Sequence, residues 1–300
     1  MKRILKAPSC STCIFLFAIF SASSVYATDY FSNALRIYSE RKYFEASIEF
    51  ERAVFYESDS NKIVYFKYYK SLCYKELKDY IRALDELRGI DLKNVPDSLS
   101  LLISYEKALC FYLNNDPAQA LRNIDEAAKR FKDTLIILDY IPLNILCLNA
   151  ERKFEKASRL WEYYIEKCGF PDTLVNLYRN EQVTLYEREN IPRYYSPAKA
   201  QRLSGFIPGS GQIYCGAIGE GSLNFLINIS LLGFTIWEVY TRYYFTGYFV
   251  GFRAFNKFYS GGIRRANYLA EQKNAEGIRK FNELNSSLML RVFDEKRTIK

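Results

Sequence analysis

Apolar and polar positions in the first half of the chain recur with a helical period and, on a longer scale, every 37 residues. Ala46, Ala83, Ala120 and Ala157 form one series, Cys73, Cys110 and Cys147 a second, and Ile37, Tyr74, Phe111 and Leu148 a third, all in one register. Within each period two apolar-faced stretches flank a polar turn. In the first, Ala34, Ile37 and Tyr38 share a face, Ser39 to Lys42 make the turn, and Ala46, Phe50 and Ala53 line the second stretch. The equivalents are Ser71 and Tyr74 with Ala83, Leu87 and Ile90; Ala108 and Phe111 with Ala120, Ile124 and Ala127; and Ile145 and Leu148 with Ala157, Trp161 and Tyr164. Spacings of three and four put these residues on one helical face, and a fixed long period implies stacked supersecondary units. Asp116 before Pro117 predicts a helix start, a capping side chain followed by proline at the first helical position. The expected fold is all-α: a solenoid of four helix pairs over residues 28–170, then a membrane helical hairpin.

The repeat resembles the tetratricopeptide family at its small residue in the first helix (Ala34, Ser71, Ala108), the alanine opening the second helix, and the large residue four further on (Phe50, Leu87, Ile124, Trp161). It departs in its period of 37 rather than 34, in Ile145 where a small residue is usual, and in lacking a closing proline in place. The resemblance implies a concave face built from the first helices. Phe31, Tyr38, Tyr65, Tyr68, Tyr105 and Tyr112 would line it as a groove for a protein or peptide. The alternative for the same aromatics is packing against neighbouring units.

Gly169 to Asp172 break the last repeat, and residues 171–195 read as a capping helix and linker with Leu174, Leu177 and Tyr178 on its apolar side. The texture changes at Ser196. Residues 222–240 (SLNFLINISLLGFTIWEVY) carry one charge, Glu238, and are long enough to cross a bilayer core. Residues 243–259 form a weaker second span because they contain Arg253 and Lys257. An antiparallel hairpin of the two would set Asn228 beside Asn256 and Ser230 near Arg253, a polar seam between helices. Ahead of the first span stands Pro208-Gly209-Ser210-Gly211-Gln212-Ile213-Tyr214-Cys215-Gly216. Amides of such a loop can cradle an anion, but no Gly-Lys-Ser/Thr follows to make a phosphate loop. Pro208, Gly209, Gly211, Gln212, Tyr214 and Gly216 resemble the motif of TM2-type and related bacterial membrane proteins, which implies a membrane location for a module spanning 196–266 and no reaction. The tail, 267–300, places Ile278, Phe281, Leu284 and Leu288 at helical spacing, an amphipathic helix for the membrane or a partner.

At the start, Lys2, Arg3 and Lys6, the apolar run from Cys13 to Ser21, and Val25-Tyr26-Ala27 read as an export signal over residues 1–27. This puts the repeats in the periplasm and the anchor in a bacterial inner membrane. Net charge is +8, and acidic and basic residues alternate along the repeats, so nothing demands nucleic acid. The chain has no histidine, which removes Ser-His and Cys-His nucleophile activation and the commonest metal ligand. No cofactor, metal, small-molecule substrate or catalytic group is expected. Cys73, Cys110 and Cys147 occupy one repeat position and should be free, buried packing residues, too far apart to bridge. The expected function is non-catalytic: an envelope scaffold whose repeats bind a protein or peptide at the bilayer. In the alternative, the membrane module is the active part, assisting insertion, assembly or transport of clients that the repeats recruit.

Overall fold

The computed structural model describes residues 27–92, 95–131 and 138–299, with side chains given as far as Lys296. All but the last residue of the expected export signal lies outside them. The described residues are helical, with no strand. The chain forms two compact units, Met1–Arg152 and Lys153–Lys300.

The first unit contains α1 (residues 27–39), α2 (Tyr43–Tyr56), α3 (Ser60–Glu76), α4 (Tyr80–Arg88), α5 (Asp97–Leu113), α6 (Pro117–Phe131) and α7 (Ile141–Ala150). Helices adjacent in sequence pack on one another. Ala46, Ala83 and Ala120 are fully buried, as are Cys73 and Cys147, with Cys110 nearly so. Small side chains at these positions let helix axes approach; Phe50, Leu87 and Ile124, one turn on, fill the space beside them. Asp116 accepts a hydrogen bond from the Gln119 amide at 3.1 Å, and Asp79 caps α4 in the same way through Arg82. Lys70 is buried and donates to both Glu51 and Glu86 at 2.6 Å, tying α2, α3 and α4 together. Burial works against its charge, but the two carboxylates hold its pKa above the usual lysine range.

The turn between paired helices repeats as faithfully as the core. Arg41, Lys78, Asn115 and Arg152, again 37 apart, all have φ between 57° and 61°. In the first three turns the residue after each donates its amide back five residues, Lys42 to Ile37, Asp79 to Tyr74 and Asp116 to Phe111. This is the left-handed helix C-terminus that usually holds glycine, here made without it.

The second unit contains α8 (Phe154–Lys167), α9 (Asp172–Leu185), α10 (Pro197–Phe206), α11 (Ser210–Tyr214), α12 (Ile218–Tyr240) and a last long helix, α13. α13 opens as one turn, Tyr244–Thr246, passes through a π-helical segment, Gly247–Phe252, and continues as Arg253–Ile299. α8, expected to close the fourth repeat of the 28–170 region, belongs to this unit because its large side chains pack on α13. Trp161 is fully buried and donates its indole N–H to Asn285 Oδ1 at 3.0 Å, which also accepts from the Tyr186 hydroxyl at 2.9 Å. Phe154 and Tyr186 meet the Phe281 ring edge-on, and Arg291 pairs with Glu181. The tail expected over 267–300 thus has part of its apolar stripe covered within the chain. Phe281, Leu288 and Val292 are buried, while Leu284 is more than half exposed. On α9, Tyr178 and Gln182 face inward rather than Leu177, and Gln182 Nε2 donates to Ser158 Oγ at 2.7 Å.

The five described cysteines are free. Burial pushes the thiols of Cys73, Cys110 and Cys147 up to about 12. A folded state that holds these protons beyond the unfolded thiol pKa of about 8.5 keeps its stability below that pH and loses it as pH rises toward 12. In an alkaline titration followed by circular dichroism, the triple variant Cys73→Ala/Cys110→Ala/Cys147→Ala should show a shallower loss of stability from pH 9 to 12 than the native sequence. A second expectation concerns the turns. Lys78→Gly should raise the unfolding free energy by about 0.5–1 kcal/mol, since glycine carries no Cβ penalty at φ 61°; denaturant unfolding measures it, and an unchanged or lower midpoint would count against strain at this turn.

Candidate functional site

Of the residues expected to line a groove on the first unit, three gather round one carboxylate. Tyr38, on α1, and Tyr68, on α3, are half-buried, and burial raises both phenols to about 12, helped at Tyr38 by Glu76 and only weakly by Glu106 on α5, and at Tyr68 by Glu106. Burial and Glu106 raise Tyr105 as well, and its ring stands edge-on to Tyr140. Glu106 itself pairs with Lys75 at 2.7 Å. The arrangement is a floor of phenols around a neutralised carboxylate. It offers hydroxyl donors and aromatic faces, and its phenols stay protonated across the physiological range. Phe31 lies elsewhere: it stacks on Phe66 at 4.5 Å and joins Phe50 and Tyr69 in a local core. Tyr65 is exposed, and Tyr112 packs partly against the central core of the unit. Among the described residues no three His, Cys, Asp or Glu side chains converge as a metal site would need.

In the second unit every residue of the glycine motif has a structural task. Pro208 and Gly209 are the central residues of a turn closed by the Ser210 amide on the Ile207 carbonyl, and the φ of +87° at Gly209 requires glycine. A Cβ there would collide with the backbone of Gly221 at the start of α12. A Cβ on Gly211 would collide with the Ala200 carbonyl, Ser204 Oγ and Ala266. Gln212 is completely buried. Its Nε2 donates to the Gly262 carbonyl of α13 at 3.0 Å, and its Oε1 accepts from Ser204 Oγ of α10 at 2.9 Å. Ser204 Oγ in turn accepts the Gly211 amide at 3.0 Å. The Tyr214 hydroxyl accepts the Ser196 amide at 3.2 Å, and Gly216 closes α11 with φ +84°. The motif is therefore a joint that holds α10, α12 and α13 at backbone distance. The amides that an anion would use are committed: Ser210 to Ile207, Gly211 to Ser204 and Ile213 to Gly209. Ser204, Gly221, Gly262 and Ala266 complete the joint. They carry no motif signal of their own, and three of the four lie beyond the motif's span on later helices.

α12 and α13 run antiparallel, in the register set by Gly251 against Thr235 and Gly262 against Asn224. Gly247 and Gly251, one helical turn apart, present bare backbone to α12. The expected seam of Asn228, Arg253 and Asn256 does not assemble. Asn228 is buried and donates to the Asn224 backbone and side-chain oxygens at 2.8 and 2.9 Å, whereas Arg253 and Asn256 lie exposed on α13. Glycine-mediated contact has taken the interface where a polar seam was expected. Among the described residues one helix, Ile218–Tyr240, is long and apolar enough to cross a membrane. The second expected span, 243–259, is instead the opening of α13. Leu226, Ile229, Ile236 and Trp237 on α12 and Phe249 and Val250 on α13 are all at least half exposed.

No protein-family model, curated protein or solved structure matches the chain.

If the motif is a packing joint, its loss must show as instability. Gln212→Leu strands Ser204 Oγ and the Gly262 carbonyl and should cost about 2–3 kcal/mol. Gly211→Ala should cost at least as much through overpacking. Thermal unfolding of the full chain in detergent, read by circular dichroism, measures both, and native-like melting of Gln212→Leu would refute the joint.

Proposed function

We propose that this chain is a non-catalytic, membrane-anchored cell-envelope protein. Residues 28–170 resemble tetratricopeptide repeats, and the part of them in the first unit, residues 28–152, forms a solenoid whose phenol-lined face takes a protein or peptide partner. The recurrent left-handed turns at Arg41, Lys78, Asn115 and Arg152 support a repeated unit. The phenols of Tyr38, Tyr68 and Tyr105 give a partner large contact area with polar tips at small entropic cost. Anchoring would act by effective concentration, holding the binding face where its partner resides.

The observation that carries the reading is the exterior of α12. It has 23 residues, about 34 Å of helix, and only 6% of the residues in its most apolar stretch are buried by the rest of the chain. A bilayer core of about 30 Å is the surface that suits such a helix. The tail adds a topological constraint. Asn274 exchanges two hydrogen bonds with the Tyr195 backbone, and Asn285 holds Trp161. The chain before α12 and the chain after residue 274 then share one side of the membrane, which requires an even number of crossings between them. α12 outward and the first turns of α13 back would satisfy this, with the tip at Arg242. With an export signal at the start, that shared side is the periplasm.

Cysteine substitutions at Thr28, Arg242 and Lys300, labelled with an impermeant maleimide in cells whose outer membrane has been permeabilised, test the arrangement. Thr28→Cys and Lys300→Cys should label from the periplasm and Arg242→Cys only after lysis. Labelling of positions 28 and 300 from opposite sides would end the two-crossing hairpin.

A further inference from the structure

The outer face of α13 carries a line of polar residues that the membrane reading leaves without an environment. Arg253, Asn256, Lys257, Ser260 and Arg264 are spaced three, four, seven and eleven residues from the first, so they share a helix face. Arg253, Asn256, Lys257 and Arg264 are exposed, and Ser260 is half-buried. The glycines that contact α12 lie on the other side of the helix, at Gly251 and Gly262. Arg265 is ion-paired with Glu220 at 2.6 Å; among the described residues, Arg253, Lys257 and Arg264 have no carboxylate partner. The register of the helix pair gives their depth. Arg253 lies level with Gly233, and Lys257 level with Ile229, the central residue of α12. Lys257 is then about 16 Å from either end of α12, a distance a four-carbon stem does not bridge by snorkelling.

Two uncompensated cations at these depths are costly against acyl chains. A second copy of this chain, inserted with the same topology, would set Arg253 and Lys257 against themselves. Lipid headgroups lie at the ends of α12, near Arg264 and well short of Lys257. An acidic side chain carried into the bilayer on another helix complements both charge and depth. Asn256 and Ser260 are small enough to let such a helix approach and to hydrogen-bond across it. Phe249, half exposed and one turn beyond Arg253, extends the face with apolar contact. Resting on the reading of α12 as membrane-crossing, we infer that this face of α13 receives an acidic transmembrane helix of a partner protein. The partner is recognised by a buried Asp or Glu level with Arg253 and Lys257.

The test uses the full chain reconstituted in phosphatidylcholine vesicles with a synthetic Leu/Ala transmembrane peptide. The peptide bears one central Glu and a dansyl acceptor, and the control peptide has Gln instead. Energy transfer from Trp237 should report association about tenfold tighter for the Glu peptide than for the Gln peptide. The double variant Arg253→Gln/Lys257→Gln should abolish that difference while keeping its native melting temperature in detergent. Equal transfer to the two peptides, or a preference that survives in the double variant, overturns the proposal. So does loss of the preference once phosphatidylglycerol is added, because anionic lipid then occupies the face, and so does association of the chain with itself in place of the peptide. Quenching of Trp237 by brominated lipid is read in the same vesicles. Its presence with no peptide preference removes the acidic-helix partner alone, whereas its absence removes the membrane-crossing reading together with everything resting on it.

Discussion

Backbone-to-backbone contact at glycine is the constraint on which the second unit depends. At Gly209 against Gly221, Gly211 against Ala200, and Gly251 against Thr235, the helices come closer than any Cβ permits. Such approach removes side chains from the interface, so apolar burial cannot supply the specificity. Hydrogen bonds supply it instead. Gln212 reaches α10 through Ser204 and α13 through Gly262, and with both bonds made it needs neither water nor an outside partner. The same closeness turns the large side chains of α12 outward, which is why this helix presents Leu, Ile, Phe and Trp to its surroundings.

The first unit follows the opposite logic. Its helices are spaced by one small buried side chain per helix and one large neighbour, a combination tolerant of sequence change elsewhere on each helix. Its buried charges are compensated, Lys70 by Glu51 and Glu86 and Glu57 by Lys62 and the Ser58 and Asp59 amides, and the half-buried Lys75 pairs with Glu106. A lone buried lysine would be a liability; one held by two carboxylates on flanking helices fixes which helices are neighbours.

Helix content, the core alanines and cysteines of the repeats, and the apolar length of α12 were legible in the sequence, because each follows from local spacing and composition. Four features were not. The turns at Arg41, Lys78 and Asn115 carry no glycine, so the residue that usually announces a left-handed terminus was missing. The pairing of α8 with the tail depends on Asn285 meeting Trp161 across 124 residues, and a polar residue within an apolar stripe reads as surface until its partner is known. Polar residues within apolar runs point to Asn228, Arg253 and Asn256 as the hairpin seam. The contact lay in Gly247 and Gly251, whose lack of a side chain is a weak signal in one sequence. For the motif, the residues were recognisable and their task was not, since Ser204, Gly262 and Ala266 belong to helices that only the fold brings together.

The uninterrupted run of α13 has a mechanical consequence. Forty-seven residues of α-helix from Arg253 extend about 70 Å. A rod that long acts as a lever: leaning it by about 5° at one end sweeps the other through about 6 Å. Strain arising beside Arg253 would therefore arrive at Asn285 and Trp161 without any intervening hinge.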